Sequence, residues 1–118
     1  MSAKPVVSIK RVYEPPAASD GARVLVDRIW PRGMTKEQAQ LTLWARDVAP
    51  STPLRKWFGH DPARWDEFQR RYREELKSAP LDDIRRLIAK GPVTLVYSAH
   101  DEAHNQAVVI ADYLSDAR

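Results

Sequence analysis

Two clusters of side chains carry the types that do chemistry. Asp27, Arg28, Trp30 and Arg32 fall within six residues of one stretch, VLVDRIWPRG (Val24–Gly33). Tyr97, Ser98, His100, Asp101 and Asn105 fall within nine residues of another. A guanidinium grips carboxylate or phosphate with two parallel hydrogen bonds, so Arg28 and Arg32 are candidate anchors for an anion. Asp27 and Asp101 are the candidate general bases. Tyr97, Ser98 and Asn105 supply hydroxyl and amide groups that could orient a ligand, with Trp30 as an apolar wall. Arg55, in LRKWF, joins the set if its helix packs beside it.

The elements that must position these residues read as follows. Val6–Tyr13 (VVSIKRVY) and Arg23–Trp30 (RVLVDRIW) have the β-branched and aromatic content of strands, the second stopped by Pro31. Thr35, with Gln38 three residues on, is a capping-box start for a helix through TKEQAQLTLW. Ser51 or Thr52 caps a short helix over STPLRKWF, with Pro53 in its first turn. Asp61 and Pro62 open the clearest helix, in which Trp65, Phe68, Tyr72 and Leu76 share a face. Leu81, Ile84, Leu87 and Ile88 define another, stopped by Gly91. Pro92–Ala99 (PVTLVYSA) is apolar on both faces, as a central parallel strand is, and HNQAVVIADYL closes the chain as a helix. The order β-β-α-α-α-α-β-α predicts a single α/β domain over residues 1–118. Its sheet is small, parallel or mixed, with about three strands covered by about five helices.

In such folds ligands bind beyond the C-terminal ends of the strands. The second and third strands both end in polar clusters, so if they are parallel neighbours the clusters meet. Pleat alternation places Arg28 with Val24, Val26 and Trp30, and Asp27 with Leu25 and Ile29. Charges that follow apolar rows are partly desolvated and need a partner or a ligand. The plainer alternative is an ion pair between Asp27 and an arginine that holds the turn, with Trp30 as core. Both readings stay open at this stage.

Other chemistries find less support. HDEAH sets His100 and His104 four apart, but the Glu of a zinc-protease helix should follow the first His, where Asp101 stands. No metal or cofactor is assigned. Ser98 lacks the glycines of a nucleophile elbow, and the four glycines are scattered, which argues against a dinucleotide-binding or P-loop glycine motif. The chain has no cysteine, which removes thiol catalysis and zinc–thiolate sites.

With 43% hydrophobic and 30% charged residues the composition is that of a globular chain. The net charge of +3 is unevenly placed. Residues 1–58 carry ten Lys/Arg against five Asp/Glu, and residues 59–118 carry nine against eleven. The basic excess lies in the half that holds VDRIWPRG and favours a small anionic partner. A non-enzymatic module that uses the same half to bind protein or nucleic acid is the alternative. Nucleic acid is the weaker form of it, because the basic residues of DPARWDEFQRRYREELK alternate with acids at i,i+4 spacing. MSAKPVVSIK has no leader-like apolar segment, and no run is long enough to span a bilayer. With the missing cysteine this points to a cytoplasmic protein with no membrane partner. Whether it is an enzyme, and its oligomeric state, stay open.

Three motifs in order resemble one known family. VDRIWPRG, DVAPSTPLRKWFGHDPARWDEFQRRYREEL and GPVTLVYSAHDEAHNQAVV resemble the YeaO-like group of the domain-of-unknown-function family numbered 488, over about Ile9 to Leu114. The resemblance implies a small bacterial cytoplasmic α/β protein and brings no activity, cofactor or catalytic residue with it. Two positions depart from the family pattern. Ser98-Ala99-His100 stands where the family usually has Ala-Ala and a basic residue, and Gly59-His60 where it often has paired histidines. Both departures count against roles that rest on Ser98 or His100.

Overall fold

Central to the fold is a five-residue strand with no exposed position, Val93–Tyr97. The computed structural model describes residues 7–116 and shows four strands, all parallel. They are β1 (Val7–Arg11), β2 (Ala22–Leu25), β3 (Leu43–Trp44) and β4 (Val93–Tyr97), in the order β1-β4-β2-β3. β4 is paired on both sides, with Val93 opposite Val7 and opposite Ala22. That is why its apolar run does not alternate with polar residues. The second and third strands of the sequence reading are therefore parallel neighbours, as expected. Val6, at the start of the first expected strand, lies outside the described residues.

Helices close the sheet. They are α1 (Lys36–Ala39), α2 (Thr52–Phe58), α3 (Trp65–Leu76), α4 (Asp82–Lys90) and α5 (Gln106–Asp116). Phe58, Phe68, Tyr72, Leu76, Ile84, Val109 and Ile110 cover one sheet face, meeting Val24, Val26, Leu95 and Tyr97. A smaller core fills the other face, where Leu25 and Val96 meet Val12 and Ala39 with Trp30, Met34 and Trp44 packed against them. No helix among the described residues is long and apolar enough to cross a membrane.

Three expectations need correction. The sheet has four strands rather than about three, because Leu43–Trp44 is extended and pairs with β2. The helix expected through Trp44 is a single turn. Thr35 and Gln38 do form the capping box, but Gln40 turns left-handed at φ 46 and ends it. The chain then lies along the open edge of β2, where the Thr42 N–H donates to Arg23 O at 2.8 Å and the Ala45 N–H to Leu25 O at 2.8 Å. Those edge hydrogen bonds outweigh local helix propensity. Finally, β2 ends at Leu25, with one more ladder bond from the Val26 N–H to Val96 O, so pleat alternation does not reach Trp30. Trp30 packs with Leu25, not with Val24 and Val26.

Candidate functional site

The residues that follow β2 line a cleft of about 780 Å³ at the C-terminal ends of the strands. Four arginines reach it from separate elements: Arg11 from the end of β1, Arg28 and Arg32 from the loop after β2, and Arg55 from α2. Asp27, Trp30, Ser98, His60, His100 and Gln106 complete most of the lining. Among the candidates named from sequence, Asp27, Arg28, Trp30, Arg32, Arg55 and Ser98 thus come together.

Asp27 is the acid of the cleft, at 8% exposure. Its Oδ2 accepts the Ser98 N–H at 3.0 Å, and its Oδ1 accepts the Gln106 side-chain amide. Its backbone carbonyl accepts Trp44 Nε1–H at 2.8 Å. One residue so joins the end of β4, the start of α5 and strand β3. Burial pushes the Asp27 carboxyl above the usual carboxylate value, and hydrogen bonds from Ser98 and Gln106 with the charge of Arg55 offset only part of that. The expected alternative of an Asp27–arginine ion pair is not seen among the described residues.

The arginines have neutral partners. Arg28 Nη2 donates to Ala49 O at 3.1 Å and Arg55 Nη2 to Thr52 Oγ1 at 3.3 Å. Both leave a buried Nε without a hydrogen-bond partner. Arg11 spans the end of β4, donating from Nε to Ala99 O at 2.8 Å and from Nη2 to Ser98 O at 3.2 Å. Arg32 is exposed, and its backbone carbonyl accepts the Tyr13 hydroxyl at 2.9 Å. Among the described residues no carboxylate pairs with any of these four guanidinium groups.

Trp30 is fixed as structure, although one edge reaches the cleft. Its Nε1–H donates to Met34 O at 2.6 Å, and its ring meets Trp44 edge-on at 5.3 Å. Three other candidates stand outside the cleft lining. Tyr97 is 1% exposed, and burial raises its hydroxyl pKa; the charge of Glu102 adds to the rise and a hydrogen bond with Asn105 offsets part of it. Asn105 was expected in the first turn of the last helix. It sits one residue before α5, where its Oδ1 accepts the Val108 N–H at 3.2 Å and its Nδ2 donates to Asp101 O at 2.9 Å. Asp101 accepts the N–H groups of Ala103 and His104 at 2.9 and 3.0 Å, and meets His104 Nδ1 at 2.9 Å. The His104 ring first, then those N–H groups, hold its carboxyl below the usual value.

His100 lines the cleft, while His104 lies against Trp65 at 5.2 Å. The described residues contain no group of three His, Asp or Glu placed to hold a metal ion. Sequence reasoning missed Arg11 and Gln106. The strand-end rule, applied to the first strand as to the others, points to Arg11. Nothing in the sequence singles out Gln106.

Comparison with known proteins identifies the family. The family model described as the inactive DUF488-N3 subclade matches residues 6–118. The uncharacterized protein Rv3073c of Mycobacterium tuberculosis is 46% identical over 110 residues, covering 92% of this chain and 93% of that protein. The uncharacterized protein YeaO of Escherichia coli is 41% identical over 110 residues, covering 92% and 96%. No solved structure matches. The chain belongs to the DUF488-N3i family, the inactive DUF488-N3 subclade, and is YeaO-like.

Proposed function

We propose that this protein binds a small oxyanion, phosphate or carboxylate, at the C-terminal ends of β2 and β4, and that it does so without catalysing a reaction. One observation carries the reading: four guanidinium groups converge on the cleft and, among the described residues, none is in an ion pair. A charge cluster built against one buried carboxylate is stabilised when an anion enters. Arg28 and Arg55 supply the inner contacts and Arg32 the outer one. Arg11 shapes the wall from the end of β1.

Binding is favoured over catalysis by the state of Asp27. A general base must stand within hydrogen-bond reach of a substrate proton and be free to turn toward it. Both Asp27 oxygens accept hydrogen bonds from the scaffold, and Asp101 is occupied in its own turn outside the cleft. The word inactive in the description of the matching family points the same way.

Thermal or urea unfolding in the presence of phosphate, sulfate and simple carboxylates tests the reading. An anion at 100 times its dissociation constant is expected to stabilise the wild type by about 2.7 kcal/mol. Arg55→Ala and Arg32→Ala should each lose that increment. No stabilisation of the wild type by any small oxyanion overturns the proposal. A response to short DNA alone, falling steeply with salt, replaces it with the interaction-module reading.

A further inference from the structure

The arginine cleft shares a wall with a second cavity. Pro50, Arg55, His60 and Gln106 line both, and the second cavity, of about 230 Å³, is completed by Phe58 and Phe68 with Lys56, His104 and Asn105. Those two rings stack with centroids 4.3 Å apart and are 5% and 2% exposed. An apolar cavity of about 150 Å³ is large enough to take up benzene. The space beside Arg55 therefore has room for one six-membered ring. Phe58 and Phe68 give it an apolar aromatic lining that a bound ring would meet.

Further features say that a bare inorganic ion does not fill the site. The cleft is many times the size of an inorganic anion. Its rim carries Tyr13 and Ile29, at 42% and 67% exposure, which are the exposed large apolar side chains among the described residues. Apolar groups standing beside unpaired cations mark a ligand with both characters. His60, on the shared wall, is held at φ +56. A left-handed residue other than glycine costs free energy, and such residues cluster at ligand sites.

From this arrangement we infer that the ligand belongs to the aryl phosphates: a phosphoryl dianion joined through oxygen to an aromatic ring. This rests on the oxyanion reading above and extends it. The phosphoryl group sits among Arg28, Arg32 and Arg55, and the ring enters the cavity over Phe58 and Phe68. Arg55, common to both cavities, stands where the two parts of the ligand join. Phosphoryl is favoured over carboxylate by charge, since four guanidinium groups face one carboxylate and a dianion meets more of that excess than a monoanion does. The ligand is bound and released unchanged.

Titration of isotope-labelled wild type with phenyl phosphate, inorganic phosphate and benzoate, at one ionic strength and at a pH where both phosphates are mainly dianionic, tests this. Phenyl phosphate is expected to bind at least tenfold tighter than either of the others. Its ring protons should give nuclear Overhauser contacts to Phe58 and Phe68. Arg55→Ala should weaken phenyl phosphate at least tenfold, and if that variant does not fold the wild-type contacts still decide. Equal affinity for the two phosphates, or ring contacts only to Tyr13 and Ile29, overturns the aryl assignment and leaves the oxyanion reading standing. Benzoate as the tightest ligand overturns the phosphoryl assignment. Failure of all three to bind overturns both readings.

Discussion

The two ends of the sheet each hold a buried aspartate, and each is held in its own way. At the N-terminal end Asp20 meets Arg23 Nη1 at 2.7 Å and Lys10 Nζ at 3.1 Å. Arg23 also donates from Nε to Ala39 O at 2.8 Å, although its Nη2 stays without a partner. Burial raises the Asp20 carboxyl, but the Ala17 N–H and the two cations outweigh it and leave the group below its ordinary value. At the C-terminal end Asp27 is held by neutral donors, its carboxyl is raised, and the nearby cations are left uncompensated. Where charges meet inside the chain, the cluster serves the fold. Where cations exceed their counter-charge at a cleft, the anion proposed above would complete the set.

The exposed face of α3 and α4 gives a second contrast. There Glu67 pairs with Arg70 and Arg71, Glu74 with Lys77, and Asp83 with Arg86. The Glu67 carboxyl is held down to about 2 by those two arginines. The helix surface is therefore self-neutralised, though mainly through i,i+3 pairs, with Glu67–Arg71 at the expected i,i+4 spacing. The unpaired arginines concentrate at the strand ends instead.

Breaking the N-terminal cluster should have the largest effect. Asp20→Ala leaves Arg23 buried without its counter-ion, an expected loss of about 3–5 kcal/mol by urea unfolding. A loss under about 1 kcal/mol would erase the distinction between the two ends. Gly21→Ala should follow at about 2–4 kcal/mol. Gly21 sits at φ +65, and a Cβ there would lie 2.3 Å from Pro92 O, where β2 and β4 begin side by side. At the opposite end, Arg32→Ala should change stability by no more than about 0.5 kcal/mol while removing anion binding, because the side chain is exposed. A large loss of stability there would make Arg32 part of the scaffold.

The smallest effect is one of pH. The folded pKa of Asp20 lies below its unfolded value, so its contribution is full at neutral pH and is lost as pH falls below about 3.9 toward the lowered value. The folded pKa of Asp27 lies above its unfolded value, so its ionisation costs stability at neutral pH, and that cost fades as pH falls through the raised value toward about 3.9. Wild type should gain on Asp27→Asn between pH 7 and pH 4, while its margin over Asp20→Asn should shrink below about pH 4. Parallel curves for the two variants would show that the aspartates do not differ in this way.

Much of the fold was legible because local and tertiary signals agreed. Ser51 caps α2, Asp61 caps the turn into α3, and Phe68, Tyr72 and Leu76 are buried at the spacing their positions required. The apolar run of β4 announced a strand paired on both sides. Residues 35–44 were misread because ten residues of helical type carry no mark of the sheet edge beside them. The site was half legible for a related reason. Strand ends located Asp27, Arg28, Arg32 and Ser98, but the orientation of Tyr97, Asp101 and Asn105 depends on the turn between β4 and α5. There Asp101 and Asn105 are spent on the chain itself.

The strand order has a consequence for synthesis. β1 leaves the ribosome first, yet its partner in the sheet is β4, and Val93 follows Val7 by 86 residues. At about 5–20 residues per second, that is a delay of roughly 4–17 s during which β1 has no strand beside it. Arg11, at the end of β1, and Ser98, just past the end of β4, meet only when that pairing forms. A ribosome stalled before residue 93 carries a chain with β2 and β3 already made, and no cleft for a ligand to enter.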